Sequence, residues 1–252
     1  MSDGVLSRAL LVVEALVEAG EPVGPRALAR TTGIDRSAVG RLLQQLESLE
    51  ILTSSDGQYE PGPRLFMIGR TLSSLDTLPT AAGAVLSSLV GEYDETSYVC
   101  VLHGHSAVFT FEFQSSKPLR YVVDLGRPIP LHAGAAGRAI LLGLPEAEAR
   151  SLLTSTQLTP LTEHTLTTAD ELLDRRSADL DHGYAVSRGE RVEGGVAVAA
   201  PFYDNTNRCQ GSIVLTCPLS RFEGYDENAI GEAVRESAAV LSARLGAHVS
   251  VG

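Results

Sequence analysis

Arg36, Ser37, Gly40, Arg41 and Gln44 fall on one side of the stretch DRSAVGRLLQQLESL, residues 35–49. Val39, Leu42, Leu43, Leu46 and Leu49 recur at helical spacing on the other side. The apolar stripe is made for packing. The polar face offers guanidinium, hydroxyl and amide groups, the donors that meet phosphates and base edges in a nucleic-acid groove. Asp35 suits an N-cap, because its carboxylate accepts from the free amides of a first helical turn. An ordinary surface helix carries the same pattern, so its neighbours decide between the readings.

Three other groupings invite chemistry. Cys100, His103 and His105 lie within six residues, as metal ligands do. On an extended strand, however, 103 and 105 share a face and 100 points to the other, so a hairpin turn with surface histidines is the better account. Ser187, His182 and Asp179 supply the parts of a hydrolase, yet no G-x-S-x-G elbow surrounds any serine. GAAGR at residues 134–138 has the small residues of a phosphate cradle but lacks the Lys-Ser/Thr of a P-loop. Small residues there let backbone approach a ligand, or let a helix meet a sheet. No catalytic residue, metal site or cofactor is expected.

The elements that must position the polar helix are legible around it. A first helix is expected over Val5–Ala19, with Leu6, Ala9, Leu10, Val13, Leu16 and Val17 inward and Gly20 as its stop. Pro25 suits the first turn of a second, PRALARTT, with Ala27, Leu28 and Thr31 inward and Arg26 and Arg30 placed for phosphates. A Gly-Ile-Asp turn then leads into residues 35–49, the order of a helix-turn-helix. After it, ILTSSDGQYEPG reads as a hairpin about Asp56-Gly57, and a hairpin in that place is a wing, with Ser54 and Ser55 near the DNA.

Residues 63–78 read as a linker helix with Leu65, Ile68, Leu72 and Leu75 as a seam, either self-pairing or docked within the chain. Pro79 marks the boundary, giving a head over 1–62, the linker over 63–78 and a second domain over 79–252. That domain opens with a helix at 80–93. Strands follow at TSYVCVLHG, AVFTFEFQ and PLRYVVDL, helices at 145–153 and 168–180, strands at GYAVSR, GGVAVAAPFY and GSIVLTCP, and a closing helix at 226–245. The class is α+β in two domains, the second with an antiparallel sheet.

With 252 residues, 44% of them hydrophobic, two cores are within reach. The net charge of −11 excludes a protein that coats nucleic acid non-specifically, but not a local docking face; residues 1–70 carry only about −2 of it. The three cysteines show no paired spacing, which argues for reduced thiols. No export or membrane signal is visible, and a cytoplasmic location is expected.

The runs LSRALLVVEAL, LARTTGIDRSAVGRLLQQLESLEIL and DGQYEPGPRLFMIGR resemble the winged helix-turn-helix of the IclR family of bacterial transcription regulators. LHAGAAGRAILLGLP and GYAVSRGERVEGGVAVAAPFYDNTNRCQGSIVL resemble the family's second half, so the resemblance covers nearly the whole chain. It implies a GAF-like effector domain, a double-stranded operator as partner, repression or activation of transcription, and dimers that can pair to tetramers. It also implies an effector cavity, in which Ala135 and Ala136 match the segment whose backbone amides meet an effector carboxylate. Tyr121 and Ile129 match apolar wall positions. Ser187 stands where keto-acid binders have Asp, Ala197 where many have Cys, and Val214 and Thr216 where a pair of serines is frequent. These exchanges leave Tyr121, Ser187 and Thr216 as the polar contacts and imply a larger, partly apolar or aromatic carboxylate. Ile129, Ala197 and Val214 also suit plain core positions. Two alternatives stay open from the residues alone: a small-molecule binding or enzymatic domain with a helical protein-interaction head, and a metal- or thiol-dependent sensor.

Overall fold

The structure is a computed structural model that describes residues 4–75 and 78–247, without the side chains of 70–75. Two compact units meet in sequence between Asp76 and Thr77.

In the first unit, α1 (Val5–Ala19), α2 (Pro25–Thr32) and α3 (Arg36–Ser48) enclose Val12, Leu16, Leu28, Val39, Leu42, Leu43 and Leu46. Gly20 ends α1 and Gly33 ends α2, both with positive φ. β1 (Leu52–Ser55) and β2 (Gln58–Pro61) form the hairpin, with Ser55 opposite Gln58. Asp56 and Gly57 between them both have positive φ, as a two-residue turn of the primed kind demands. An isolated bridge from Val23 to Tyr59 ties the wing to the chain ahead of α2.

Three inward assignments change. Leu6, Leu10 and Val17 of the expected α1 stripe are exposed, and Val12 is the buried residue instead. α1 is apolar on nearly every side, so periodicity does not reveal which side its neighbours cover. Thr31 is exposed; Thr32 turns in and donates its hydroxyl to the Leu28 carbonyl at 2.7 Å. Leu49 is exposed because the helix has ended there, with φ −92° and ψ 4°, and helical projection no longer applies.

α4 spans Pro63–Leu75, and α5 begins at Leu78 and runs to Tyr93. Leu78 therefore opens the second unit's helix rather than closing the linker, and Pro79 sits in the first turn of α5, where its missing N–H costs nothing. Residues 76 and 77 of the expected linker, and the side chains of Leu72 and Leu75 in its seam, lie outside the described residues. Of the remaining seam, Leu65 is half-buried and Ile68 exposed.

The second unit is a six-stranded antiparallel sheet in the order β5-β4-β3-β8-β7-β6. Its strands are β3 (Thr96–His103), β4 (Ser106–Phe113), β5 (Pro128–Pro130), β6 (Ala185–Arg188), β7 (Gly195–Tyr203) and β8 (Cys209–Pro218). Strand alternation divides the core in two. Val99, Val198, Ile213 and Leu215 pack with α5 and the closing helix α10 (Glu227–Arg244). Tyr98, Cys100, Ala199 and Val214 pack on the other face with α6 (Ala135–Gly143). α7 (Glu146–Ser155) and α8 (Ala169–His182) complete that layer, and a short α9 (Leu219–Phe222), absent from the sequence reading, follows β8. Thr168 caps α8 through Glu171, and Asp226 caps α10.

The segment PLRYVVDL is not a strand. Tyr121 and Val123 are half-buried with Val122 exposed between them, but the chain bends at 118 and 119 and no ladder partner runs beside it. The period-2 pattern came from crossing a cavity mouth, not from pairing.

Candidate functional site

On the head, Arg26, Arg30, Arg36, Ser37, Arg41 and Gln44 are all exposed. Gly40 lies among them, and a Cβ there would meet nothing within 4 Å, so the middle of this face is open. Asp35 caps α3 as expected, its Oδ1 accepting from the Ser37 amide at 2.9 Å and the Ala38 amide at 3.3 Å. The Ser37 hydroxyl also donates to that oxygen, at 2.5 Å, and this bond first, then the amides, holds the Asp35 carboxyl below the usual carboxylate range. Ser37 thus serves the cap. On the wing, Ser54 donates to Glu47 Oε1 at 2.5 Å, so it too is engaged.

In the second unit, all eight carried-over positions line one cavity. Tyr121 comes from the segment PLRYVVDL, Ile129 from β5, Ala135 and Ala136 from the head of α6. Ser187, Ala197 and Thr216 stand in one cross-strand row over β6, β7 and β8, and Val214 sits two residues along. The cavity holds about 510 Å³ of atom-free space, its open mouth included.

Two of the three expected polar contacts are occupied. The Tyr121 hydroxyl donates to the Glu193 carbonyl at 2.6 Å, and the Thr216 hydroxyl to the Thr96 carbonyl at 3.4 Å. Only Ser187, buried on β6, keeps its hydroxyl uncommitted among the described residues. Tyr121 is held in place from two further directions. Tyr98 donates to its carbonyl at 2.8 Å, and Gly195 admits its ring, because a Cβ at Gly195 would lie 2.9 Å from it.

Sequence reasoning missed Phe109, Val123, Arg191 and Val192 in the lining. Phe109 and Val123 carried a signal, their alternation in apolar stretches. Arg191 carried a weaker one, a basic residue in the glycine-rich connection between two cavity strands.

Arg138, read only as part of GAAGR, is buried at 4% exposure. It donates to Asp179 Oδ2 at 2.6 Å, to Glu190 Oε1 at 2.5 Å and to the Val186 carbonyl at 3.2 Å. Glu190 Oε2 in turn accepts from the Gly134 amide at 3.2 Å. Burial raises the carboxyls of both Asp179 and Glu190, against the pull of Arg138. Asp179 is thus spent on Arg138, which removes it from any hydrolase arrangement with Ser187.

Cys100 is buried while His103 and His105 are exposed, and no group of His, Cys, Asp and Glu fit for a metal occurs among the described residues. Burial pushes the thiols of Cys100, Cys209 and Cys217 up to about 12, which keeps them protonated at neutral pH.

An exposed donor face on a helix-turn-helix with a wing, joined in one chain to a sheet domain with a small-molecule cavity, defines a DNA-binding regulator with a sensor domain. Residues 69–243 match the domain described as bacterial transcriptional regulator IclR C-terminal, and residues 5–56 match the IclR helix-turn-helix domain. The chain belongs to the IclR family of transcription regulators and is not an enzyme.

It is 28% identical over 222 residues to the probable transcriptional regulator SauR of Cupriavidus necator, covering 87% of this chain and 88% of that one. The Thermotoga maritima IclR structure superposes with a TM-score of 0.78 at 22% identity, over 96% of this chain and 98% of that one. An IclR homologue from Microbacterium hydrocarbonoxydans, solved with 4-hydroxybenzoate, gives a TM-score of 0.76 at 19% identity, over 96% and 99% of the two chains. These two show the shared fold, a winged head and a GAF-like sheet domain. The chain is a DNA-binding regulator whose operator binding responds to a small-molecule effector, and among the described residues no helix is long and apolar enough to cross a membrane.

Proposed function

We propose that this regulator reads a near-palindromic operator with paired α3 helices, and that a partly apolar or aromatic carboxylate in the cavity changes the arrangement of those heads. The observation that carries the reading is the cavity lined by all eight carried-over positions, with few free polar groups on a mainly apolar wall. A ligand of that kind binds by burial, and one or two polar contacts fix its orientation. The 4-hydroxybenzoate bound by the Microbacterium hydrocarbonoxydans homologue belongs to the same chemical class.

Within the head, Arg36, Gly40, Arg41 and Gln44 enter the groove or touch its flanking phosphates. Ser37 holds the helix start at the DNA, and Arg26 and Arg30 bind the backbone. So few cations per head give modest affinity at cellular salt, and two heads add their contacts. Pairing is supported by Leu6, Leu10 and Val17, exposed on α1, and by Phe66, Met67 and Ile68, exposed on α4. The working form is a cytoplasmic dimer, able to pair to a tetramer. The three functional segments are the head, the linker helix and the effector domain.

Sequencing the DNA that copurifies with the full chain tests this. The expected result is a recurring inverted repeat, whose retardation in a gel changes when aromatic carboxylates are added. Small keto acids binding more tightly than aromatic acids in calorimetry would overturn the effector class.

A further inference from the structure

Arg191 lines the cavity with its guanidinium carbon 5.3 Å from the centroid of the Phe109 ring. Among the described residues no carboxylate lies within ion-pair distance of it; Asp124 attracts it only from farther off and is itself paired with Arg127 at 3.2 Å. Arg138, the other arginine near the head of α6, is bonded to two carboxylates and a carbonyl. Together Arg138, Asp179 and Glu190 carry one net negative charge when ionised, and Glu190 already accepts the Gly134 amide. The head of α6 is therefore the poorer place for a second anion. The cation without an ion-pair partner is Arg191, whose Cβ lies 3.5 Å from where a Cβ on Gly134 would stand, with the Ser187 hydroxyl at 3.8 Å from the same point.

A guanidinium laid over an aromatic face keeps its N–H groups in plane, free to grip a carboxylate with two parallel bonds. A half-buried arginine with no counter-ion is costly to hold, and an anionic ligand removes that cost. We propose that Arg191 pairs with the carboxylate of the effector, beside the Ser187 hydroxyl, and makes the cavity selective for monocarboxylates over their neutral amides. This places the anion on Arg191 instead of on the amides of Ala135 and Ala136. It rests on reading this cavity as the effector site.

The test is calorimetric titration of the full chain with benzoate, phenylacetate and hexanoate at millimolar concentration, each beside its own amide. Wild type, Arg191→Gln and Arg191→Lys are compared. The expected result is about tenfold or greater preference of wild type for the acids, lost in Arg191→Gln and partly kept in Arg191→Lys, with the amides bound alike by all three. Thermal melting of the unliganded variants serves as the folding control, and Arg191→Lys carries the comparison should the Gln variant unfold. Equal binding of acid and amide by wild type, or an unchanged acid affinity in Arg191→Gln, overturns the assignment while leaving the cavity as the effector site. Binding of neither acids nor amides overturns the cavity reading and the assignment together.

Discussion

Arg41 stands exposed on α3 and acts within the head only through its charge on the Asp35 cap, so its loss should be felt mainly at the operator. Arg41→Ala is expected to weaken operator binding by about 1–3 kcal/mol, read by gel retardation, with the melting temperature unchanged. Gly40 offers the opposite contrast. Its added Cβ would meet nothing, so Gly40→Ala should stabilise the head by about 0.5–1 kcal/mol in denaturant unfolding while hindering close approach to DNA. Arg138 is different again, because two buried carboxylates depend on it. Arg138→Met should cost about 3–5 kcal/mol near neutral pH. The sign with pH follows from burial raising both carboxyls. Their stabilising contribution is complete below the ordinary values and is lost as pH rises through the raised ones, so the variant's deficit should shrink as pH falls towards about 5. A deficit that grows on acidification would contradict this account. The donors of α3 were readable because they share one helix. Arg138 was not, because its carboxylate partners stand 41 and 52 residues away and nothing local marks them.

Capped and turned segments were the most legible elements, since α3, the wing and α8 announce themselves through Asp35, Asp56-Gly57 and Thr168. The segment across the cavity was misread for a reason that applies widely. Alternation reports that a chain is extended with one side covered, and a ligand cavity covers a side as well as a sheet does. The segment is pinned instead by Lys117 on Glu95 at 3.1 Å, by Ser115 and Ser116 on Asp94, and by Tyr121 on Glu193. Tyr121→Phe removes only the last of these and keeps the ring in the wall. It is expected to speed both entry and exit of a bound carboxylate in stopped-flow measurements, with little change in affinity. The face of α1 was misjudged because an all-round apolar helix needs a partner to define its inside. Leu6→Glu with Leu10→Glu should lower the mass seen by light scattering to that of a monomer while the fold survives, and an unchanged mass would remove α1 from the interface.

The net charge of −11 means that the chain as a whole repels DNA, and the proposed reading therefore asks a small patch to be used more than once. The slope of operator affinity against salt should therefore be about twice as steep for the full chain as for residues 1–75 alone. The sheet adds a constraint on how such a molecule responds. β8 presents Val214 and Thr216 to the cavity while Ile213 and Leu215, their immediate neighbours, pack beneath α5 and α10. A strand is too stiff to let one of those residues move without the next, so whatever presses on the cavity side is felt by the core that seats α5, the helix that follows the linker in the chain. Coupling of this kind runs equally in both directions. Trimming Ile213 to Val, a methylene out of the cavity's sight, should alter the affinity for effector as surely as it alters the packing under α5.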